Sequence, residues 1–378
     1  MSDNLYRSAS YEVWICSSSG VRLHLLDTFI DLKFSRAVSS VGRAIINIDS
    51  TDFSIFRFVK PDFIVQIWRS FTNEIPKLEF IGFIRKIRIF QMNRSDIIEV
   101  TCEDQISILT SRIVAYTSEG TESELSGFAD DICKDIVRYN LGASAPIDRD
   151  LTTYGFQVAP DLSLAAPIQI PTAWNIVLDA LKKVSENSFF EGIPLFFDCI
   201  PVIGNSSVGF EFQTFAQQLG NDRTYESGVP TVFSAEFGNL ENPSLEFDFT
   251  DEKTVVYGGG QGESNKRQIF VAEDTERSNI SPWNRRELFF NANSARTSSM
   301  LENVTNQVLE ANRPRVKFTG QLKDTLQTRY GIDWRYGDRI AVSYRGIIFN
   351  AWINAVSFSL SSTSQETIQA RAEVLTQL

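Results

Sequence analysis

DFIVQIWR (62–69) and DRIAVSYR (338–345) stand near opposite ends of this 378-residue chain and share one pattern. Each opens on an aspartate, Asp62 or Asp338, runs through β-branched and apolar residues, and ends on an arginine. What comes next also matches in order. FIGFIRKIRIF (80–90), the polar QMNRSD (91–96) and IIEVTCE (97–103) follow the first. IIFNAWINAVSFSL (347–360), SSTSQE (361–366) and TIQARAEV (367–374) follow the second. Branched and aromatic side chains fit a pleated, half-buried surface, and short polar breaks turn the chain back, so both stretches read as antiparallel meanders. Any two meanders look alike to a degree. The shared order and spacing point further, to two copies of one small barrel.

Working outward, the first copy extends back through YEVWICS (11–17), VRLHLLD (21–27), DLKFSRAV (31–38) and GRAIINID (42–49), each pair flanking a serine-containing turn. Gly82 inside a strand pattern marks a bulge or a close backbone approach. Then the character changes. Residues 103–112 suit a short helix. Leu125, Phe128, Ile132, Ile136 and Tyr139 fall at three- and four-residue steps, which predicts a helix over 124–141. Residues 143–171 read as a long loop, and 172–187 as a helix capped by Thr172 with Trp174 on its apolar stripe. A last helix spans about 298–312, with Ser299 and Glu302 at capping-box spacing. The expected fold class is mainly β with α+β insertions: two antiparallel β-barrels plus inserted mixed domains. The expected division is 1–112 for the first barrel, 113–245 for an inserted α+β domain, 246–260 with 313–378 for the second barrel, and 261–312 for a small insertion with strand and helix.

Composition narrows function. The net charge is −11 and no run of Lys or Arg exceeds two, which argues against stable binding to nucleic acid or an anionic membrane. MSDNLYRSASYE lacks the apolar core of a signal peptide, and the greasiest run, IPLFFDCIPVIG (193–204), is broken by Asp198 and two prolines. Cys16, Cys102, Cys133 and Cys199 are far apart and read as buried thiols, with one disulfide as the alternative. The single histidine, His24, lies in an alternating run and reads as an ordinary strand residue. Neither a zinc set nor a Ser-His-Asp arrangement is visible around it.

No catalytic, cofactor or metal residue is therefore expected, and no cofactor. Gly258-Gly259-Gly260-Gln261-Gly262 follows a strand, but ESNKRQIFVAED after it reads as another strand, so Gly258 and Gly260 suit a tight turn rather than a phosphate cradle. EDTE (273–276) and FDFTDE (247–252) read as solvated turns rather than paired catalytic carboxylates. DWRYGDRI (333–340) reads as a turn locking the entry to the second barrel, through Asp333, Trp334, Gly337 and Asp338.

At FIDLKFSRAVSSVGRAIINI (29–48), with Phe34, Arg36 and Gly42, the chain resembles the siphovirus-type tail hub proteins. These are relatives of the T-even phage baseplate hub and of the hub half of type VI secretion spikes. TVVYGGGQGESNKRQIFVAED (254–274), RRELFF (285–290) and YGIDWRYGDRIAV (330–342) continue the likeness in the same order. The resemblance implies a homotrimer whose subunits each supply two tube-like barrels, so that a six-barrel ring adapts a six-fold tail tube to a three-fold tip. It implies a distal tail or tail-tube protein above, a spike or fibre protein and a tape-measure end below, and DNA only in transit. Part of the acidic charge is then expected to line the channel. The implied location is the virion tail tip, assembled in the host cytoplasm. Two other readings compete: a receptor- or carbohydrate-binding β-sandwich, which an exposed Trp283 would suit, and a peptidoglycan hydrolase of the tail tip.

Overall fold

The computed structural model describes residues 9–374 apart from 27, 50–52, 71–74, 93–94, 121–123, 172–173, 205–206, 263–265, 293–294, 296, 326 and 362–363. Seven strands open the chain, as the alternation predicts: β1 (Ser10–Cys16), β2 (Arg22–Leu26), β3 (Asp31–Ala37), β4 (Ser40–Asp49), β5 (Ile64–Ser70), β6 (Lys77–Met92) and β7 (Ser95–Asp104). Asp104 then caps a 3-10 helix over Gln105–Ser111, accepting from the Ile106 N–H.

The middle departs from the sequence reading. β8 (Glu124–Phe128) precedes α1 (Ala129–Asn140), so Leu125 and Phe128 lie on a strand and not on the helix. The supposed loop 143–171 holds β9 (Phe156–Val158) and β10 (Pro167–Pro171), and β10 pairs with β8. Three-residue spacing fits a strand feeding a helix as well as a longer helix; the partner strand decides. α2 (Val177–Phe190) starts after a left-handed Trp174 (φ 62°), which sits ahead of the helix and off its buried stripe. Thr172, the expected cap, lies outside the described residues. β11 (Leu195–Ile203) and β12 (Val208–Ala216) form a hairpin, with β9 parallel to β12.

Then come β13 (Asp222–Arg223), β14 (Val232–Ser234), β15 (Leu240–Asp248), β16 (Val255–Gly259), β17 (Ile269–Glu273), α3 (Thr275–Ser278), β18 (Glu287–Asn291) and α4 (Ser298–Ala311). β19 (Arg315–Lys323), β20 (Arg339–Tyr344), β21 (Ile347–Ser361) and β22 (Ser364–Glu373) are the last described elements. The cap of α4 is Thr297, whose hydroxyl accepts from Met300 N–H at 3.2 Å, so the Ser299/Glu302 spacing lies inside the helix. Ladder pairing also moves the expected divisions. β13 and β14 pair with β20 and β15 pairs with β19, so residues 222–248 join the second strand set. β16 pairs with β17 and β18 in a separate sheet, so 255–259 leave it.

The large sheet runs β15-β19-β22-β21-β3-β4-β7-β6-β5-β1-β2, with β20 on β21. Two strand sets within it have one order: β5-β6-β7-β4-β3 and β20-β21-β22-β19-β15. Details repeat as well. β6 is irregular between Ile84 and Lys86, and β21 between Ile353 and Ala355. Asp62 N–H donates to Ile84 O and Ile84 N–H to Phe63 O; Gly337 N–H donates to Ile353 O and Ile353 N–H to Asp338 O. Asp62 (φ 65°) therefore corresponds to Gly337 (φ 81°), and Phe63 to Asp338. This corrects the alignment of the two aspartates by one residue. The shared requirement is a left-handed residue at the strand entry, which glycine meets without strain and aspartate tolerates.

The sets share one core. Phe34 stacks on Phe358 with centroids 4.4 Å apart, and Phe80, Phe318, Tyr330 and Trp334 are buried in the same cluster. Each such ring contributes about 1.5–3 kcal/mol by burial. A second core joins α1, α2, β11 and β12 to Ile64 and Ile81 of the first set and to Cys16 of the neighbouring β1, so this set is covered on both faces there.

Candidate functional site

Where the two strand sets and the inserted hairpin meet lies a seam of buried charges. Arg36 leaves β3 and pairs with Asp198 of β11 (Nη2–Oδ2 2.9 Å), while its guanidinium covers the Tyr336 ring at 4.4 Å. One cation thus touches three parts of the chain. Asp198 also accepts from Gln105 at 3.4 Å. Beside it Asp104 accepts from Gly42 N–H (2.8 Å) and Ile106 N–H (3.1 Å). Burial pushes the Asp104 carboxyl up to about 8, against those two N–H groups. Burial also raises Asp198 and Glu79. Further along, Arg69 of β5 holds Glu366 of β22 through two bonds, 2.6 and 2.7 Å, and Tyr11 donates to the same carboxylate. Tyr330 donates to Glu79 at 2.9 Å. Removing one member of such a buried pair strands the other, so the seam fixes how the sets are joined.

The residues singled out from sequence separate into three places. Phe34, Arg36 and Gly42 sit on β3 and β4 at the seam, and Gly82 of β6 lies opposite Asp104. A Cβ at Gly42 would come 2.3 Å from Ser35 O, and one at Gly82 2.4 Å from Glu103 O, so both let neighbouring backbone approach. Asp333, Trp334, Gly337 and Asp338 form the turn before β20. Trp334 is buried and donates to Thr328 O (3.0 Å), the Asp333 carboxylate accepts from Arg329 N–H (2.8 Å), and buried Asp338 accepts from Asn221 N–H, Arg335 N–H and Arg223. Gly258 lies apart, within β16 of the small sheet rather than in a tight turn, and Gly260 just after it; a Cβ on Gly258 would meet Thr305 Oγ1 of α4 at 1.9 Å. They seat a helix against a sheet, and the next described strand or α-helix after them is the strand β17. Glu252, read as solvated, is buried against Arg277. His24 stacks on Phe58 (4.8 Å), and all four cysteines are buried free thiols, Cys16 raised by burial to about 11. Sequence reasoning missed Asp104, Glu79, Arg69 and Glu366. Their signal was a charge at a core position of a strand, which alternation alone flags only as an exception.

On the opposite face of the joined sets, alternation brings Lys33, Ser35, Arg43, Ser357, Ser359 and Gln369 to solvent, over shallow concavities of about 770 and 500 Å³. Arg43 pairs there with Glu103 at 3.2 Å. The face is polar and mixed in sign.

The mainly β fold of this chain is that of phage tail proteins. The tail protein from Neisseria meningitidis MC58 superposes with TM-score 0.55 at 13% identity, over 97% of both chains. The 43 kDa tail protein of prophage MuSo2 from Shewanella oneidensis gives 0.57 at 10%, over 97% of this chain and 98% of that one. The Francisella PdpA–VgrG complex gives 0.51 at 11%, over 97% of this chain and 52% of that one. No curated protein matches the sequence. The chain belongs to the siphovirus ReqiPepy6 Gp37-like protein family, whose model matches residues 12–372.

Proposed function

We propose that this protein is a non-catalytic tail-tip hub. Three copies form a ring of six tube-like barrels, two per chain, that joins a six-fold tail tube to a three-fold tip and lets DNA pass. The observation that supports it is the same five-strand order occurring twice in one chain, the two sets paired edge to edge through β3 and β21. A closed ring needs repeated interfaces, and a doubled unit offers six from three chains. In this reading the first barrel is built from residues up to 112 and the second from 222–248 and 315–374. The inserted α+β domain lies between them, and 249–314 form the small insertion. The distal tail or tail-tube protein sits above the ring, and a spike or fibre protein with the tape-measure end below. Assembly takes place in the host cytoplasm before the tip joins the virion. The polar face over Ser35 and Ser357 faces the channel. Lys33 and Arg43 beside Glu103 give it a mixed charge in place of the acidic lining expected from composition. Native mass spectrometry of the full chain, alone and with its tail-tube protein, should give trimers; a monomer under both conditions overturns the reading. Trp283, 89% exposed, favours a carbohydrate-binding alternative. A glycan array on which the protein binds nothing removes it.

A further inference from the structure

The large sheet has two open strand edges that correspond to a pair already joined inside the chain. β5 covers β6 only from Lys77 to Phe83, and beyond Ile84 no strand lies on that side among the described residues. β15 pairs with β19, and no described strand covers its other edge. In the repeat β6 corresponds to β21 and β15 to β3. The β21 segment that corresponds to the open part of β6 is the one that β3 covers.

We infer that β6 of one copy pairs antiparallel with β15 of a second copy, repeating between chains the β21–β3 contact within one. This rests on the ring reading above and names the strands that close it. The repeat also sets the register. Lys86 and Ala355 correspond, because they face Thr101 and Arg371 across equivalent ladders. Ile45 and Gln321 face the same two residues, so Arg43 corresponds to Thr319 and Ser35 to Ser244. Within the chain Ala355 faces Ala37, Val356 faces Arg36 and Ser357 faces Ser35. Between chains Lys86 then faces Glu246, Ile87 faces Leu245, and Arg88 faces Ser244.

That register matches chemistry on both faces, although the repeat alone fixed it. Lys86, Arg88 and Glu246 are exposed on the polar side, with opposite charges directly across from each other or one step away along the diagonal. Ile87 and Leu245 are half-buried beside the common core on the other side. The same charges on bare edges discourage indiscriminate pairing, and Pro243, in the irregular stretch of β15, withholds an N–H. A second copy is the occupant because it carries both edges and repeats head to tail.

The test uses the full chain with Lys86→Cys and Glu246→Cys together. Mild oxidation should give disulfide-linked dimers and trimers, since Cβ atoms directly across a ladder lie about 4.5–5.5 Å apart. Lys86→Cys with Glu241→Cys, out of register, should stay unlinked. Lys86→Glu should weaken assembly about tenfold, and adding Glu246→Lys should restore it. Trimers that neither cross-link in register nor respond to the charge reversals overturn this pairing and leave the hub reading standing. A wild-type chain that never assembles, with or without its tail-tube protein, overturns both.

Discussion

The two strand sets share an order but differ in what was inserted and what they touch. In the first, β3 and β4 are joined by Val38 and Ser39 alone; in the second, residues 249–314 separate β15 from β19. The ladder survives because its register is held by hydrogen bonds and burial along the strands, not by the turn, and exposed turns tolerate insertion. The sets differ again at the seam. Arg36 corresponds to Leu245, and Asp104 to Val374. The first set has charged side chains where it meets the inserted hairpin, and the second has apolar ones at the same places. The repeated unit keeps its backbone plan and changes its chemistry where its neighbours differ.

The largest expected break in this comparison is Arg36→Met. It leaves Asp198, 4% exposed, without its cation and should cost about 3 kcal/mol in urea unfolding. Adding Asp198→Asn should recover part of that. Leu245→Ala, at the corresponding place, should cost only about 1 kcal/mol. Next is glycine. Gly82→Ala should destabilise by about 2–3 kcal/mol, because the Glu103 carbonyl 2.4 Å from the new Cβ is backbone in a ladder. Ala351, its counterpart, already carries a Cβ, so Ala351→Gly should lose about 1 kcal/mol, the entropic penalty of glycine in a strand.

A pH series sharpens the same contrast. The Asp104 carboxyl is raised from 3.8 to about 8, so between those values the folded chain holds a proton the unfolded chain has lost. Its contribution is complete below about pH 4 and falls as pH rises to about 8, by at most about 1.4 kcal/mol per unit. Glu79 and Asp198, raised by burial, add the same sign. Asp104→Asn should flatten the denaturation midpoint between pH 5 and 8; an unchanged slope assigns the effect elsewhere. The smallest contrast concerns the strand entries. Asp62→Gly should change stability by under about 1 kcal/mol, trading left-handed strain for the loss of an exposed pair with Arg85. Gly337→Asp should lose about 1–2 kcal/mol, as its Cβ would meet Leu219 at 2.9 Å.

Much of this was legible in particular residues. The strand-like runs between Tyr11 and Glu103 and between Asp338 and Val374 became strands of the large sheet. The four cysteines stayed free and buried. The α1 and α2 starts were misplaced, because β8 and the left-handed Trp174 precede them and neither has a local signature strong enough to end a helical stripe. The seam was invisible. Arg36 and Asp198 lie in separate runs, and nothing in either names the other.

The sequence by itself determined the strands of the two meanders and that these two groups are alike, because alternation and turn residues act over a few neighbours; it did not find β8, β9 or β10. Only the tertiary structure decided that β15 pairs with β19 across an insertion, that the two aspartates are one residue out of step, and that Arg36 joins three parts of the chain. Ladder partners and buried ion pairs depend on backbone geometry and desolvation between segments far apart in sequence, and residue type alone does not encode them.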